Sequence, residues 1–254
     1  MPVSDFEDQF SKQADRYRKF RPGYPDELFE YIIALCPART MAWDCATGNG
    51  QAAAKLIAYF DHVVATDASN SQIENALDLN SVEFRVATAE SSGLASASAD
   101  LVTVANALHW FDKTRFFQET ARVLKPGGIL ACWCYEAFQT DPQYKEAFSP
   151  IYKAMDGHWS AKLKDVRDHY QNIDFGECGL TEVEAPRMQM SLDWDLNQCL
   201  GFLRSWSACQ NYIDRFGTDP TEQFYDHARS IWGDAETKHQ VSWNIHLKLA
   251  RKTA

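Results

Sequence analysis

Residues 43 to 56 read WDCATGNGQAAAKL: an apolar stretch holding one acid, two glycines one residue apart, then an alanine-rich run. A chain written this way leaves a buried strand, turns tightly and enters a helix. Glycine suits such a turn because it adopts left-handed backbone at no steric cost. A strand followed by a helix returns to its sheet by a crossover, so the next strand lies parallel to the first. The stretch therefore commits this part of the chain to a parallel sheet with covered faces.

The flanking pattern agrees. TMAWDC, HVVATD, VEFRVAT, LVTVANAL and GGILACWCY read as strands, and GQAAAKLIAYF, SQIENALDL and KTRFFQETARVL as helices between them. Strands alternating with helices define an α/β sheet. Upstream, SDFEDQFSKQADRY reads as a helix opened by a capping box. RKFRPGYP is a loop broken by Pro22, Gly23 and Pro25, and DELFEYIIALC is a second helix with Leu28, Tyr31, Ile32 and Leu35 on one face. After Tyr135 the alternation stops. Residues 141–238 carry helical patterns rich in aromatics, interrupted by one strand, EVEAPRMQMSL, and residues 141–175 read as an insertion over one end of the sheet. QVSWNIHLKLARK alternates as a closing strand should.

Composition narrows the function. A net charge of −10 disfavours a nucleic-acid partner. The start, MPVSDFEDQF, is acidic and lacks the apolar segment of a secretory signal, and no run reaches the length of a membrane helix. Seven scattered cysteines suit reduced thiols in the cytoplasm. Cys132 and Cys134 share a strand face, but no second pair at zinc spacing follows, so no metal is expected.

GNGQAA, residues 48–53, fits G-x-G-x-x-A, and Asp67 ends the next strand, near where dinucleotide folds place a ribose-binding acid. Two features argue against a diphosphate. No Lys or Arg lies between residues 41 and 54, and Asp44 stands just before the turn. Like charges ~4 Å apart repel by up to ~4 kcal/mol at an effective dielectric near 20. The same geometry favours a cation, so the cleft suits a nucleoside that carries positive charge and no phosphate. Further polar groups end later strands: Thr88 and Glu90 the third, Asn106 and His109 the fourth. Ligands of open parallel sheets bind at those ends.

Together these motifs resemble the class I S-adenosylmethionine-dependent methyltransferases of small-molecule type. WDCATGNG is similar to the family's first-strand motif, VVATDAS to its ribose segment and VATAESSGL to its adenine segment. LHWFD and VLKPGGIL resemble the fourth-strand exit and the turn before the fifth strand. YRKFRPGYP and HWFD together are most similar to the branch containing trans-aconitate methyltransferase. The resemblance implies a Rossmann-like, doubly wound α/β fold with a mostly parallel sheet and an antiparallel final strand. It divides the chain into an N-terminal helical lid (1–38), a cofactor domain (39–138), a mostly helical substrate-covering region (139–238) and the last strand (239–254). It implies S-adenosylmethionine as cofactor. Asp44, Ala46, Gly48, Asn49 and Gly50 would surround its methionine part, Asp67 and Ala68 its ribose and adenine, and Thr88, Ala89 and Glu90 the adenine. Asn106 closes the set, with Tyr17 and Arg21 holding the carboxylate from the lid. Thr88 replaces the usual Asp, and Cys45-Ala46 replaces a glycine-containing pair, so Ala46 must tolerate a tight bend.

The acceptor is expected to be a small molecule, with the carboxylate of an organic acid as the first choice. His109 is the candidate base, because imidazole titrates near neutral pH; its alternative role is to hydrogen-bond and pack with Trp110. Trp110, Trp133, Tyr135, Arg204 and Trp206 are the candidate acceptor contacts. In LRSWSA, Arg204 and Ser207 read as neighbours one turn apart on a helix. Two other functions stay open on sequence: an NAD-dependent oxidoreductase, and a non-catalytic cofactor-binding protein. The oligomeric state, monomer or dimer, is left open.

Overall fold

The computed structural model describes residues 20–176 and 178–253. The capping-box helix and Tyr17 lie outside the described residues. The first described helix, α1 (Asp26–Ala34), buries Leu28, Phe29, Ile32 and Ile33, a face rotated from the expected one so that Tyr31 and Leu35 sit at its border. Five strands follow in parallel: β1 (Met41–Cys45), β2 (His62–Asp67), β3 (Val82–Val86), β4 (Ala99–Ala105) and β5 (Leu124–Cys134). Between them lie α2 (Gln51–Leu56), α3 (Asn70–Glu74) and α4 (Lys113–Val123). α3 is shorter than SQIENALDL promises: it ends at Glu74, and Leu77 instead donates its N–H to the Asn49 carbonyl at 2.9 Å.

The remaining strands are β6 (Gln139–Thr140), β7 (Leu180–Val183), β8 (Met188–Trp194) and β9 (His239–Lys252). The strand order is β3-β2-β1-β4-β5-β9, with β6, β7 and β8 all paired to β9. β9 runs antiparallel to β5, with Cys134 opposite His246. EVEAPRMQMSL is thus two strands rather than one, with Pro186 in the break. A proline cannot donate to a ladder, and it separates the parts that pair with opposite ends of β9. The helices of the second half are α5 (Ser149–Met155), α6 (Lys164–Arg167), α7 (Leu196–Arg204), α8 (Ser207–Phe216), α9 (Pro220–Gln223) and α10 (Tyr225–Trp232).

Side-chain alternation along the strands separates two cores. Ala42, Val63, Leu101, Ile129 and Trp133 face one cluster with α1, α7 and β9. Trp43, Val64, Val102, Leu130, Cys132 and Cys134 face the other, with Phe116 and Phe117 of α4 and with Tyr170. Both faces are covered, as a parallel sheet requires. Cys132 and Cys134 are buried, and burial raises both thiols far above their ordinary range. They are packing residues. No helix among the described residues is long and apolar enough to cross a membrane.

Candidate active site

The upper, C-terminal strand ends carry the site. After β1 the chain turns through Ala46 (φ 53°), Gly48 (φ 57°) and Gly50 (φ 91°) into α2. Ala46 therefore does take left-handed backbone, which costs a non-glycine residue ~1–2 kcal/mol. A Cβ on Gly50 would sit 2.9 Å from the Phe84 ring, so that glycine is demanded by packing as well as by φ. A Cβ on Gly48 would meet only Gln72 Oε1, at 3.9 Å, leaving the space beside that backbone open. The Thr47 N–H binds the Thr66 carbonyl and the Gly50 N–H binds the Thr47 carbonyl, tying the turn to β2.

Asp44 lies beneath this turn rather than at its surface. It is 1% exposed, and its two oxygens accept from the hydroxyls of Thr47 (2.6 Å) and Thr103 (2.7 Å). Burial raises its carboxyl from 3.8 to about 6, against the lowering effect of those hydroxyls. Asp44 can thus favour a cation above the turn through its field and through the turn it shapes. Asp67 ends β2 and accepts from the Gly48 N–H and the Ser69 N–H, each at 2.9 Å. Asn49 is 4% exposed, and its Nδ2 has no hydrogen-bond partner among the described residues. A buried unpaired donor costs ~1–3 kcal/mol.

Thr88, Ala89 and Glu90 form the loop beyond β3. Thr88 bridges Ser91, Ala89 is buried, and Glu90 accepts from the Asp112 N–H at 2.9 Å. Ala68 follows Asp67 at the same edge. Asn106 caps β4 in left-handed backbone (φ 53°) and locks it to β5, donating its N–H to the Trp133 carbonyl and accepting from the Tyr135 N–H.

Beside Asn106 opens a cavity of about 460 Å³ lined by Arg21, His109, Trp110, Tyr135, Arg167 and Trp206, among others. The N-terminal approach to it is held by packing. Phe20 rests where a Cβ on Gly201 of α7 would lie, and the Arg21 guanidinium sits 5.2 Å from the Phe202 ring centre. His109 is buried, with Nδ1 3.3 Å from the Tyr170 hydroxyl and its ring 5.0 Å from Trp110. Burial lowers its pKa to about 4, so it is neutral at pH 7. That value is far below the ~7 that suits a general base at neutral pH.

Two expected acceptor contacts stand elsewhere. Trp133 is fully buried, with Tyr24 and Phe29 edge-on at 5.2 and 5.9 Å; it faces the core one turn of the pleat below Tyr135. Arg204 ends α7 and pairs with Asp219 (2.5 Å) and Glu222 (2.9 Å) on the next elements. The Asp219 contact is ionic, without the alignment of a good hydrogen bond. Arg204 and Ser207 are on different helices, because Ser205 caps α7 before Ser207 opens α8. Sequence reading missed Tyr152, Asp156, Trp159 and Arg167, all cavity-lining residues from the insertion. They belong to no motif; the only signal was the aromatic richness of residues 141–175.

A glycine turn under an acid-tipped second strand, at the upper edge of a 3-2-1-4-5 sheet, is the architecture of a nucleoside-binding α/β protein. A family described as "Methyltransferase domain" matches residues 43–132. A Dictyostelium discoideum protein described as a methyltransferase is 33% identical, over 97% of this chain and 96% of its own. A solved structure from Anaeromyxobacter dehalogenans, described as a type II methyltransferase, superposes with TM-score 0.83 at 35% identity, over 91% of this chain and 98% of that one. A Haemonchus contortus phosphoethanolamine N-methyltransferase, solved with S-adenosylhomocysteine, shares the fold at TM-score 0.54 and 16% identity, over 99% of this chain and 61% of that one. The chain belongs to the class I S-adenosylmethionine-dependent methyltransferases.

Proposed function

We propose that the protein transfers the methyl group of S-adenosylmethionine to a small acceptor bound in the 460 Å³ cavity, and that it recognises a carboxylate on that acceptor. One observation carries the acceptor class: Arg167 lines the cavity, lies 5.7 Å from the Trp159 ring centre, and has no ion pair among the described residues. A guanidinium between aromatic walls suits a planar carboxylate. The volume is that of a small-molecule site.

The residues beside the turn fit the cofactor. Asn49 Nδ2 offers an unused buried donor, the space over Gly48 lets a ligand approach backbone, and Asp67 offers acceptors for ribose hydroxyls. Asp44, Ala46 and Gly50 shape the methionine end. Ala68, Thr88, Ala89 and Glu90 flank the adenine side, and Arg21 faces the cofactor carboxylate. When bound, the cofactor supplies a methyl carbon activated by its sulfonium. The chain's task is alignment, which can supply ~7–11 kcal/mol of the barrier. Asn106 fixes the wall between the two ligands, and Trp110, Tyr135 and Trp206 orient the acceptor and exclude water. A carboxylate acceptor needs no general base, which suits a His109 that is neutral and accepts a further proton poorly. All seven cysteines are free, which supports a cytoplasmic setting.

The test has two parts. Calorimetric titration should show binding of S-adenosylmethionine and S-adenosylhomocysteine and none of NAD; tight NAD binding alone would overturn the cofactor reading. A mass-spectrometric screen of small acids, each with its amide analogue, should show methyl gain for an acid only. Arg167→Gln should raise KM for that acid by roughly tenfold or more, as expected for a lost charge-assisted contact. Equal methylation of an amide analogue would overturn the carboxylate reading.

A further inference from the structure

Three groups from separate elements meet beside the cavity, which one of them, Glu136, lines. Glu136 follows β5, His246 lies on β9 opposite Cys134, and His169 follows α6. His169 Nε2 is 3.0 Å from Glu136 Oε2. The rings of His169 and His246 stack at 4.0 Å with 6° between their planes. One ligand atom from each of the three lies within 4.8 Å of the other two, and all three residues are half-buried. A hydrogen bond accounts for His169 and Glu136. It does not account for a second imidazole brought within ligand reach of the same carboxylate.

The donor set is chemically selective. Two imidazoles and a carboxylate suit zinc, cobalt, nickel or ferrous iron, whereas calcium and magnesium take oxygen ligands. Ligands bound at ~2.0–2.1 Å in tetrahedral geometry stand roughly 3.3 Å apart, so to share one ion the donors must close in from as much as 4.8 Å and the stacked rings must turn out of parallel. The backbone holds His169 in an unusual pose: His169 and Tyr170 both have φ 56°. Such conformations persist only where the surroundings fix them.

We infer that Glu136, His169 and His246 form a binding site for one divalent transition-metal ion. Glu136 also lines the acceptor cavity, as do Val166 and Arg167 just before His169. An ion held here ties residues 164–170 to the sheet and fixes the part of the cavity wall that carries Arg167. Binding is read without turnover, so the inference stands or falls separately from the methyl-transfer reading.

The experiment titrates chelator-treated, full-length protein with Co²⁺, followed by visible absorption and calorimetry. One equivalent should bind, with the d–d bands of nitrogen and oxygen coordination and no thiolate charge transfer. Glu136→Gln, His246→Ala and His169→Asn should each weaken binding roughly tenfold or more; asparagine is chosen at 169 because it tolerates left-handed backbone. At one fixed concentration, Zn²⁺ should raise the Tm of the parent protein by more than that of His246→Ala. Thermal unfolding of each metal-free variant checks that it folds, with His246→Gln replacing a His246→Ala protein that does not. Absence of saturable binding, a thiolate band, or parent-like affinity in the folded His246 and His169 variants would overturn the site.

Discussion

Two aspartates are buried in the same sheet, at opposite ends of its strands, and they are treated differently. Asp100, at the lower end of β4, is 0% exposed. Its carboxylate meets Lys125 Nζ at 2.9 Å through both oxygens and accepts from the N–H groups of Thr40 and Met41. Asp44, at the upper end of β1, accepts from two hydroxyls and has no cation among the described residues, and burial lifts its carboxyl to about 6. Backbone strain does not separate the ends, since Ala97 below and Ala46 above both have positive φ. Charge satisfaction does. The lower end is closed electrostatically and holds β1 to β4. The upper end keeps a buried negative charge and an Asn49 donor unpaired among the described residues, both of which the proposed cationic nucleoside would relieve.

The largest expected effect tests the lower end. Lys125→Met leaves Asp100 buried without its cation, which should cost about 3 kcal/mol of stability. The low end of the usual range applies because Lys125 is partly exposed and two N–H donors remain. The Tm should fall by roughly 6–12 °C for a domain of this size, and the folded protein should bind S-adenosylmethionine as before. A matching loss of cofactor affinity would show that the two ends are coupled and end the contrast.

Asp67→Ala tests the upper end. It should weaken cofactor binding by roughly 1–3 kcal/mol, the worth of a charge-assisted hydrogen bond, measured by calorimetry. Stability should fall by less than in Lys125→Met, because the Gly48 and Ser69 N–H groups that lose an acceptor are neutral, whereas Lys125→Met strands a buried charge. Unchanged affinity would mean that the ribose is held elsewhere.

The two ends were unequally legible in the sequence. The motif residues of the turn are contiguous, so Ala46, Gly48, Gly50 and Asp67 could be placed before any coordinates. So could the alternation that separates Trp43 from Ala42 and Cys132 from Trp133. The rest depends on pairings that spacing does not encode. Arg204 faces Asp219 and Glu222 because two short helices double back beside it. Trp133 and Tyr135 share a strand face, yet only Tyr135 reaches the cavity, because Tyr24 and Phe29 close over its neighbour. Arg167, Trp159, and the Glu136, His169 and His246 group come together only through the fold of the insertion and the antiparallel return of β9.

The smallest expected effect is the most discriminating, because its sign is fixed. Asp44 has a raised folded pKa, about 6 against 3.8. Between about pH 4 and 6 the folded protein keeps a proton that the unfolded chain releases, so this group makes stability fall as pH rises. His109 has a lowered folded pKa, about 4 against 6.5. Between about pH 4 and 6.5 the unfolded chain holds that proton, so His109 makes stability rise with pH. The two nearly oppose each other in the parent protein, and variants separate them. The stability of Asp44→Asn minus that of the parent should climb from pH 4 to 6 and level off above it, reaching about 1 kcal/mol in favour of the variant. The full shift would give more, but asparagine forfeits the charge-assisted bonds from Thr47 and Thr103. For His109→Gln the difference should fall from pH 4 to 6.5. The Asp44 variant should gain stability without ligand while losing S-adenosylmethionine affinity, the trade expected of a charge retained for function. Chemical denaturation across pH, with and without cofactor, measures both curves, and a flat difference for Asp44→Asn would mean that its charge is already balanced in the free protein.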